Sequence, residues 1–254
     1  MDTYSHRKPA TLKDYNNMFQ HVSADPQWYS NPQNCHSIPF PFSFSEPPER
    51  FSVQDGKFEY MGREMFREVH KTVSSLKPGG GGTRLYIQGT MGFGKSHILA
   101  ALACLLYRQG NVVVFIHDVR ALLLDPLPYI KSALLCTFAG PSFKEERNRI
   151  RACKSMNAIS PFYHGIRSFP YLIVDQINAL ELSDLNTDSV ARETKDACRV
   201  FINSLSVGSF TITSASANHQ TAKYMEKKQT NEIKLPMMGG MSPVSSRIYL
   251  SYSF

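Results

Sequence analysis

Residues Gly89 to Ser96 read GTMGFGKS, a glycine and four intervening residues followed by Gly-Lys-Ser. Glycines at 89 and 94 permit a tight turn whose backbone N–H groups converge on an anion. A helix starting near Lys95 would point its positive dipole end at the same place. The chemistry served by this arrangement is phosphate binding. Gly89, Thr90, Met91, Gly92, Phe93, Gly94, Lys95, Ser96 and His97 form the expected nucleotide-binding set. The amides of Gly92 to Ser96 wrap the β-phosphate, the Lys95 ammonium reaches the β- and γ-phosphates, and the Ser96 hydroxyl ligates Mg²⁺. His97 suits either packing or a contact on the adenine side. The spacing arises by chance in on the order of one chain of this length in a hundred, so its context matters. A β-prone run, TRLYIQ, precedes it and an apolar helical run, SHILAALACLLYRQG, follows, as the chemistry requires.

A site for ATP and Mg²⁺ also needs an acidic group at the end of a second hydrophobic strand. The run YLIVD supplies Asp175, expected to hold the metal through water opposite Ser96. The next residue is Gln176, at a position where a glutamate often polarises the attacking water. An amide orients water by hydrogen bonds but cannot take its proton as a carboxylate does. The residues therefore support binding without requiring hydrolysis. Glu181 suits either a substitute base or the surface. Ser214, Ser216 and Asn218, at the end of SFTITSAS, suit γ-phosphate sensing or ordinary turns, and Asn218 joins Asp175 and Gln176 as the expected catalytic set. No arginine finger is assigned: Arg84, Arg120, Arg192 and Arg199 read as surface or salt-bridge residues, and His117 and Asp118 as structural.

The elements that must position these groups alternate. After a helix near 62–76 and the break Lys77-Pro78 come strand TRLYIQ, the helix ending at Gly110, strand NVVVFIHD and a helix at 126–138. An irregular basic stretch to Ser168, strand YLIVD, a helix at 189–205, strand SFTITSAS, a polar helix near 220–228 and an unpatterned tail complete the chain. This alternation predicts an α/β fold, a parallel-sheet P-loop NTPase of the ASCE-type three-layer sandwich. NVVVFIHD, between the two motif strands in sequence, is expected to lie between them in the sheet. Residues 1–50, rich in Pro and Ser, read as a mostly irregular N-terminal segment, 51–242 as the NTPase domain and 243–254 as a short tail. FSVQDGKFEYMG reads as a hairpin or short strand around Asp55-Gly56.

At 254 residues and 42% hydrophobic content the chain can bury a sizeable core. The apolar run 98–107 is half what a membrane helix needs, and the N-terminus has no signal-peptide core, so an intracellular protein with no membrane partner is expected. Five scattered cysteines without metal-binding spacing fit a reducing compartment. A formal charge of +7 permits nucleic-acid binding, with Lys144, Arg147, Arg149, Arg151 and Lys154 as the richest cluster, although a solvated helix face explains that cluster equally.

With these residues in place, the sequence resembles the P-loop NTPase module of the Crinkler family, modular proteins of oomycetes and fungi, many regarded as effectors. The segments that carry the resemblance are FEYMGREMF at 58–66, RLYIQGTMGFGKSHILAALACLLYRQG at 84–110, LLLDPLPYIKSALLCTFA at 122–139, YLIVDQINALE at 171–181, FTITSASANH at 210–219 and MMGGMS at 237–242. The resemblance implies an ATPase-like domain of the STAND/AAA-like branch, with Gln176 as the family's own choice at its position. It also implies a chain lacking the family's header and C-terminal effector domain, C-terminally truncated, and acting in a host cell or its nucleus if it is an effector. The expected function is ATP binding with Mg²⁺ and ATP hydrolysis. The alternatives are a non-hydrolysing nucleotide switch with a protein partner or self-association, and a basic nucleic-acid-binding protein.

Overall fold

The computed structural model describes residues 17–41, 47–77, 84–89, 92–181, 192–216 and 232–237. Thr90, Met91, Asn218, the polar helix expected near 220–228 and the tail at 243–254 lie outside them. Five parallel strands form the central sheet: β3 (Arg84–Gly89), β4 (Val113–Ile116), β5 (Tyr171–Val174), β6 (Phe210–Ser216) and β7 (Glu232–Pro236), in the order β4-β5-β6-β3-β7. Two further strands, β1 (Cys35–Pro39) and β2 (Lys57–Met61), pair antiparallel. The helices are α1 (Pro26–Ser30), α2 (Glu64–Ser74), α3 (Lys95–Arg108), α4 (Val119–Leu124), α5 (Pro126–Thr137), α6 (Lys144–Ala152), α7 (Met156–His164) and α8 (Arg192–Ser206). Among the described residues no helix is long and apolar enough to cross a membrane.

Alternation along the strands sorts the core onto two faces. Val113, Phe115, Ile173 and Ile212 join α3 in one hydrophobic cluster. Val114, Ile116, Leu172 and Val174 join α4, α5, α7 and α8 in the other. The result is the expected three-layer α/β sandwich. One expectation fails: NVVVFIHD, as β4, does not lie between the two motif strands. That place belongs to β6, which pairs with both β3 and β5, while β4 takes the edge. The fourteen-residue helix α3 gives the β3–β4 connection enough reach to pass over two strand positions. The next two crossovers then step back one strand at a time. Helical crossovers can skip neighbours, so order in sequence does not fix order in the sheet.

Helix α3 is buried on every side from Ile98 to Leu106, and a helix that is apolar all round needs cover on both flanks. The sheet covers one, and the N-terminal region covers the other. Phe19, Tyr29, Phe40, Phe51, Phe58 and Phe66 belong to the same cluster as α3, and Phe19 meets Tyr107 edge-on at 5.0 Å. Arg108 Nε and Gln109 Nε2 donate to the carbonyls of Val22 and Ala24 at 3.0 and 3.3 Å. Residues read as irregular therefore contain a helix and a strand, and β1 crosses the expected division at residue 50 to pair with β2. The Asp55-Gly56 turn forms as expected, with φ of 52° and 75°, the left-handed pair that a tight two-residue hairpin turn demands.

Three more differences have local causes. The stretch to Ser168 holds α6 and α7, because capping by Ser155 and burial of Ile150, Ile159 and Phe162 outweigh its polarity. Its basic cluster is partly consumed in structure: Arg147 Nη1 donates to the carbonyls of Phe138 and Gly140, and Arg149 lies over the Phe162 ring at 5.1 Å. Residues 232–236, for which no element was expected, form β7, a short edge strand that pairs with β3.

Gly62 links β2 to α2, where an added Cβ would stand 2.0 Å from the Asn31 carbonyl oxygen. The obstacle is backbone and cannot rotate away. Gly62→Ala is expected to destabilise the protein by about 3 kcal/mol, read as a lower urea midpoint; an unchanged midpoint would mean that this packing is loose.

Candidate functional site

The sheet's carboxyl ends carry the site. Strand β3 ends at Gly89 and α3 begins at Lys95, with Gly92 and Gly94 at φ 89° and 72°. Only glycine takes these values freely. A Cβ at Gly94 would lie 2.3 Å from Arg63 Nη1, which donates to the Phe93 carbonyl at 2.9 Å, so a side chain there would displace that flexible guanidinium as well as strain the backbone. Lys95 is 6% exposed and its Nζ donates to the Gly89 carbonyl at 2.7 Å, closing the loop across its mouth. Burial holds the Lys95 ammonium below its ordinary pKa, an effect partly opposed by the charge of Asp175.

Asp175 follows β5 and is 1% exposed. Its position is explained by register. Val174 pairs with Thr213, so the next residues, Asp175 and Ser214, become cross-strand neighbours on the α3 side. Ser214 Oγ donates to Asp175 Oδ1, which also accepts the Gln176 backbone N–H at 3.0 Å. Oδ2 faces Arg50, with Nη2 at 3.3 Å. Gln176 is held in the left-handed region at φ 62°, ψ 41°, a conformation that costs a non-glycine residue about 1 kcal/mol or more. Among the described residues its Oε1 is buried without a hydrogen-bond partner.

Gly92, Gly94, Lys95, Ser96, His97, Asp175 and Gln176 all line one cavity of about 1200 Å³. The sequence-expected residues that are described thus converge, apart from Gly89 at the loop's base and Phe93, which holds Arg63. A strand, a glycine-rich loop, a helix and a carboxylate two strands away with β6 inserted between make the type of the fold plain. This is a P-loop NTPase fold.

No protein-family model matches the chain, and no curated protein matches it significantly. Among solved structures it is similar to DnaA from Aquifex aeolicus bound to AMPPCP, at 12% identity and a TM-score of 0.41, over 75% of this chain and 49% of that one. It is also similar to a chain of the HORMA:CdnC:Trip13 complex of E. coli MS115-1, at 11% identity and a TM-score of 0.31, over 68% of this chain and 59% of that one. The chain spans about half the length of the DnaA chain.

Other candidates go elsewhere. Ser214 serves Asp175 rather than facing the cavity, and Glu181 is not among the cavity's lining residues. Arg199 binds Asp196 and the Leu180 carbonyl, and Arg84 stands at the opposite end of β3 from the loop. Arg120 does line the cavity. Asp118, read as structural, caps α4 by accepting the Arg120 N–H at 2.9 Å and also pairs with Arg50 Nη1 at 3.1 Å. Sequence reasoning missed Arg50 and Arg63 altogether. Arg50 lies 125 residues from its partner Asp175, and nothing in the run EPPER announces it. Arg63 at least sits beside the rigid glycine of YMGRE.

His97 packs against Phe51 and Phe58, with ring centroids at 4.9 and 5.9 Å. His117 stacks on Tyr129, whose hydroxyl lies 2.8 Å from its Nδ1. Burial lowers both from 6.5 to about 4, and repulsion by Arg63 and Arg50 adds to the effect at His97. Because both folded values are depressed, the unfolded chain takes up protons first as pH falls. Stability is intact above about 6.5 and is lost toward 4, by about 2 kcal/mol for each histidine at pH 5. Urea midpoints at pH 7.5 and 5 should differ accordingly, and His97→Gln should flatten the profile. A profile unchanged in that variant would remove His97 as a cause.

Proposed function

We propose that this chain binds ATP with Mg²⁺ through the phosphate loop, as a P-loop protein of the Crinkler type. The observation that carries the reading is the convergence of Lys95, Ser96 and Asp175 on one cavity at the carboxyl ends of a parallel sheet, where this kind of fold receives ligands. The loop amides and the α3 N-terminus would bind the phosphates, and Lys95 would exchange its bond to the Gly89 carbonyl for phosphate oxygens. Ser96 and Asp175 form an all-oxygen donor pair of the kind Mg²⁺ takes alongside substrate phosphates, and they would hold it. The metal, when bound, neutralises phosphate charge. Ser214 and the Gln176 amide keep the Asp175 carboxylate oriented. The partnerless Gln176 Oε1 would accept a hydrogen bond from a water and so align it for attack on the γ-phosphorus.

A non-hydrolysing switch is the second reading. It is favoured by Gln176, which aligns water without taking its proton, and by the engagement of Asp175 with Arg50. Titration calorimetry of ATP with Mg²⁺, run beside phosphate release, separates the two. Binding with Lys95-dependent release supports an ATPase, and binding without release supports the switch. An absence of binding removes both. Nucleic-acid binding is disfavoured by the structural employment of Arg147 and Arg149.

A further inference from the structure

Asp175 has one oxygen, Oδ2, that its own strand environment leaves for a cation, because Oδ1 is taken by Ser214 and the Gln176 N–H. A guanidinium already stands on Oδ2. Arg50 reaches it through Nη2 at 3.3 Å, and the same guanidinium binds Asp118 Oδ2 at 3.1 Å and the His117 carbonyl at 2.6 Å. Its Nε is buried with no hydrogen-bond partner among the described residues, so the grip is incomplete. The residue belongs to a three-residue turn, Glu49–Phe51, ended by Ser52 in the left-handed region at φ 45°. Phe51 anchors one end of that turn in the aromatic cluster at 2% exposure, and Arg50 ties the residues before it to the sheet.

We propose that Arg50 is the resident cation of the Asp175 carboxylate, and that Mg²⁺ arriving with nucleotide exchanges with it, releasing the guanidinium and loosening the 47–52 turn. The inference rests on the nucleotide reading. A hydrated divalent ion and a guanidinium cannot share one buried carboxylate oxygen without strong repulsion, whereas each alone satisfies it. The exchange would couple nucleotide occupancy to the segment that precedes the domain's hairpin, and it would make tight ATP binding require more Mg²⁺ than the loop alone demands.

The test is ATP affinity by calorimetry across a Mg²⁺ series in wild type, Arg50→Gln and Arg50→Met. The expected result is that half-maximal tightening occurs at about tenfold lower Mg²⁺ in the variants, with affinity at saturating Mg²⁺ preserved. Hydrogen exchange of residues 47–52 in the wild type supplies a measurement that needs no variant: exchange should quicken with Mg²⁺ and ATP together and stay unchanged with ATP in chelator. An unchanged Mg²⁺ midpoint, slower exchange on binding, or weaker ATP affinity at saturating Mg²⁺ would each overturn the exchange; the last would make Arg50 a phosphate ligand instead. These outcomes leave the nucleotide reading standing. Wild-type protein that binds no ATP at any Mg²⁺ concentration would overturn the nucleotide reading and the exchange together.

Discussion

Lys95→Met is expected to lower ATP affinity by about 100- to 1,000-fold, the equivalent of losing about two charge-assisted hydrogen bonds to phosphate. The protein should nonetheless stay folded. Lys95 is almost wholly buried, and its depressed pKa means that the fold bears a cost to keep it charged. Methionine fills much the same volume without that cost, and the loss of the bond to the Gly89 carbonyl offsets the gain. Thermal stability without nucleotide should therefore move by no more than about 1 kcal/mol. Calorimetry and a melting curve on the same sample check both halves. Undiminished affinity would mean that the loop does not bind the phosphates. A collapse in stability would mean that the lysine serves the fold first.

Gln176→Glu is expected to raise phosphate release by about 100-fold, the lower end of what a positioned general base contributes. The backbone there is already fixed in the left-handed region, and the substituted oxygen would occupy the place of an Oε1 that is buried and unpartnered. A carboxylate at that place can take the proton that an amide cannot. The added negative charge would lie beside Asp175 in the cavity that Lys95 also lines, and Lys95 together with bound Mg²⁺ would offset it. Single-turnover phosphate release in the variant, with a Lys95→Met companion as background, reads the effect. A rate equal to the wild type's would show that proton transfer to residue 176 does not limit the reaction.

Much of the local geometry was legible before any fold. The GxxxxGKS spacing calls for a tight turn, and the positive φ at Gly94 fits it; Gly92, at one of the four unspecified positions, takes a positive φ as well. Continuous apolar or β-branched runs and helical spacing placed β3, α3, β4, β5, α8 and β6 nearly where they lie, because elements buried on both sides read as unbroken apolar runs and a half-buried helix such as α8 repeats its apolar residues at the helical period. Helix α3, apolar on all sides, also needs a second covering layer that its own residues did not name. That cover proved to be the N-terminal aromatics, which proline-rich composition had disguised as irregular chain.

What the tertiary structure alone decided was partnership. The sequence cannot say that β6 separates the motif strands, that Ser214 therefore faces Asp175, or that Arg50 crosses 125 residues to reach the same carboxylate. Backbone sterics and side-chain period act over a few residues and are written in local spacing. The choice of neighbour depends on how far each crossover reaches and on which buried charge finds its counter-ion, and those are properties of the assembled sheet.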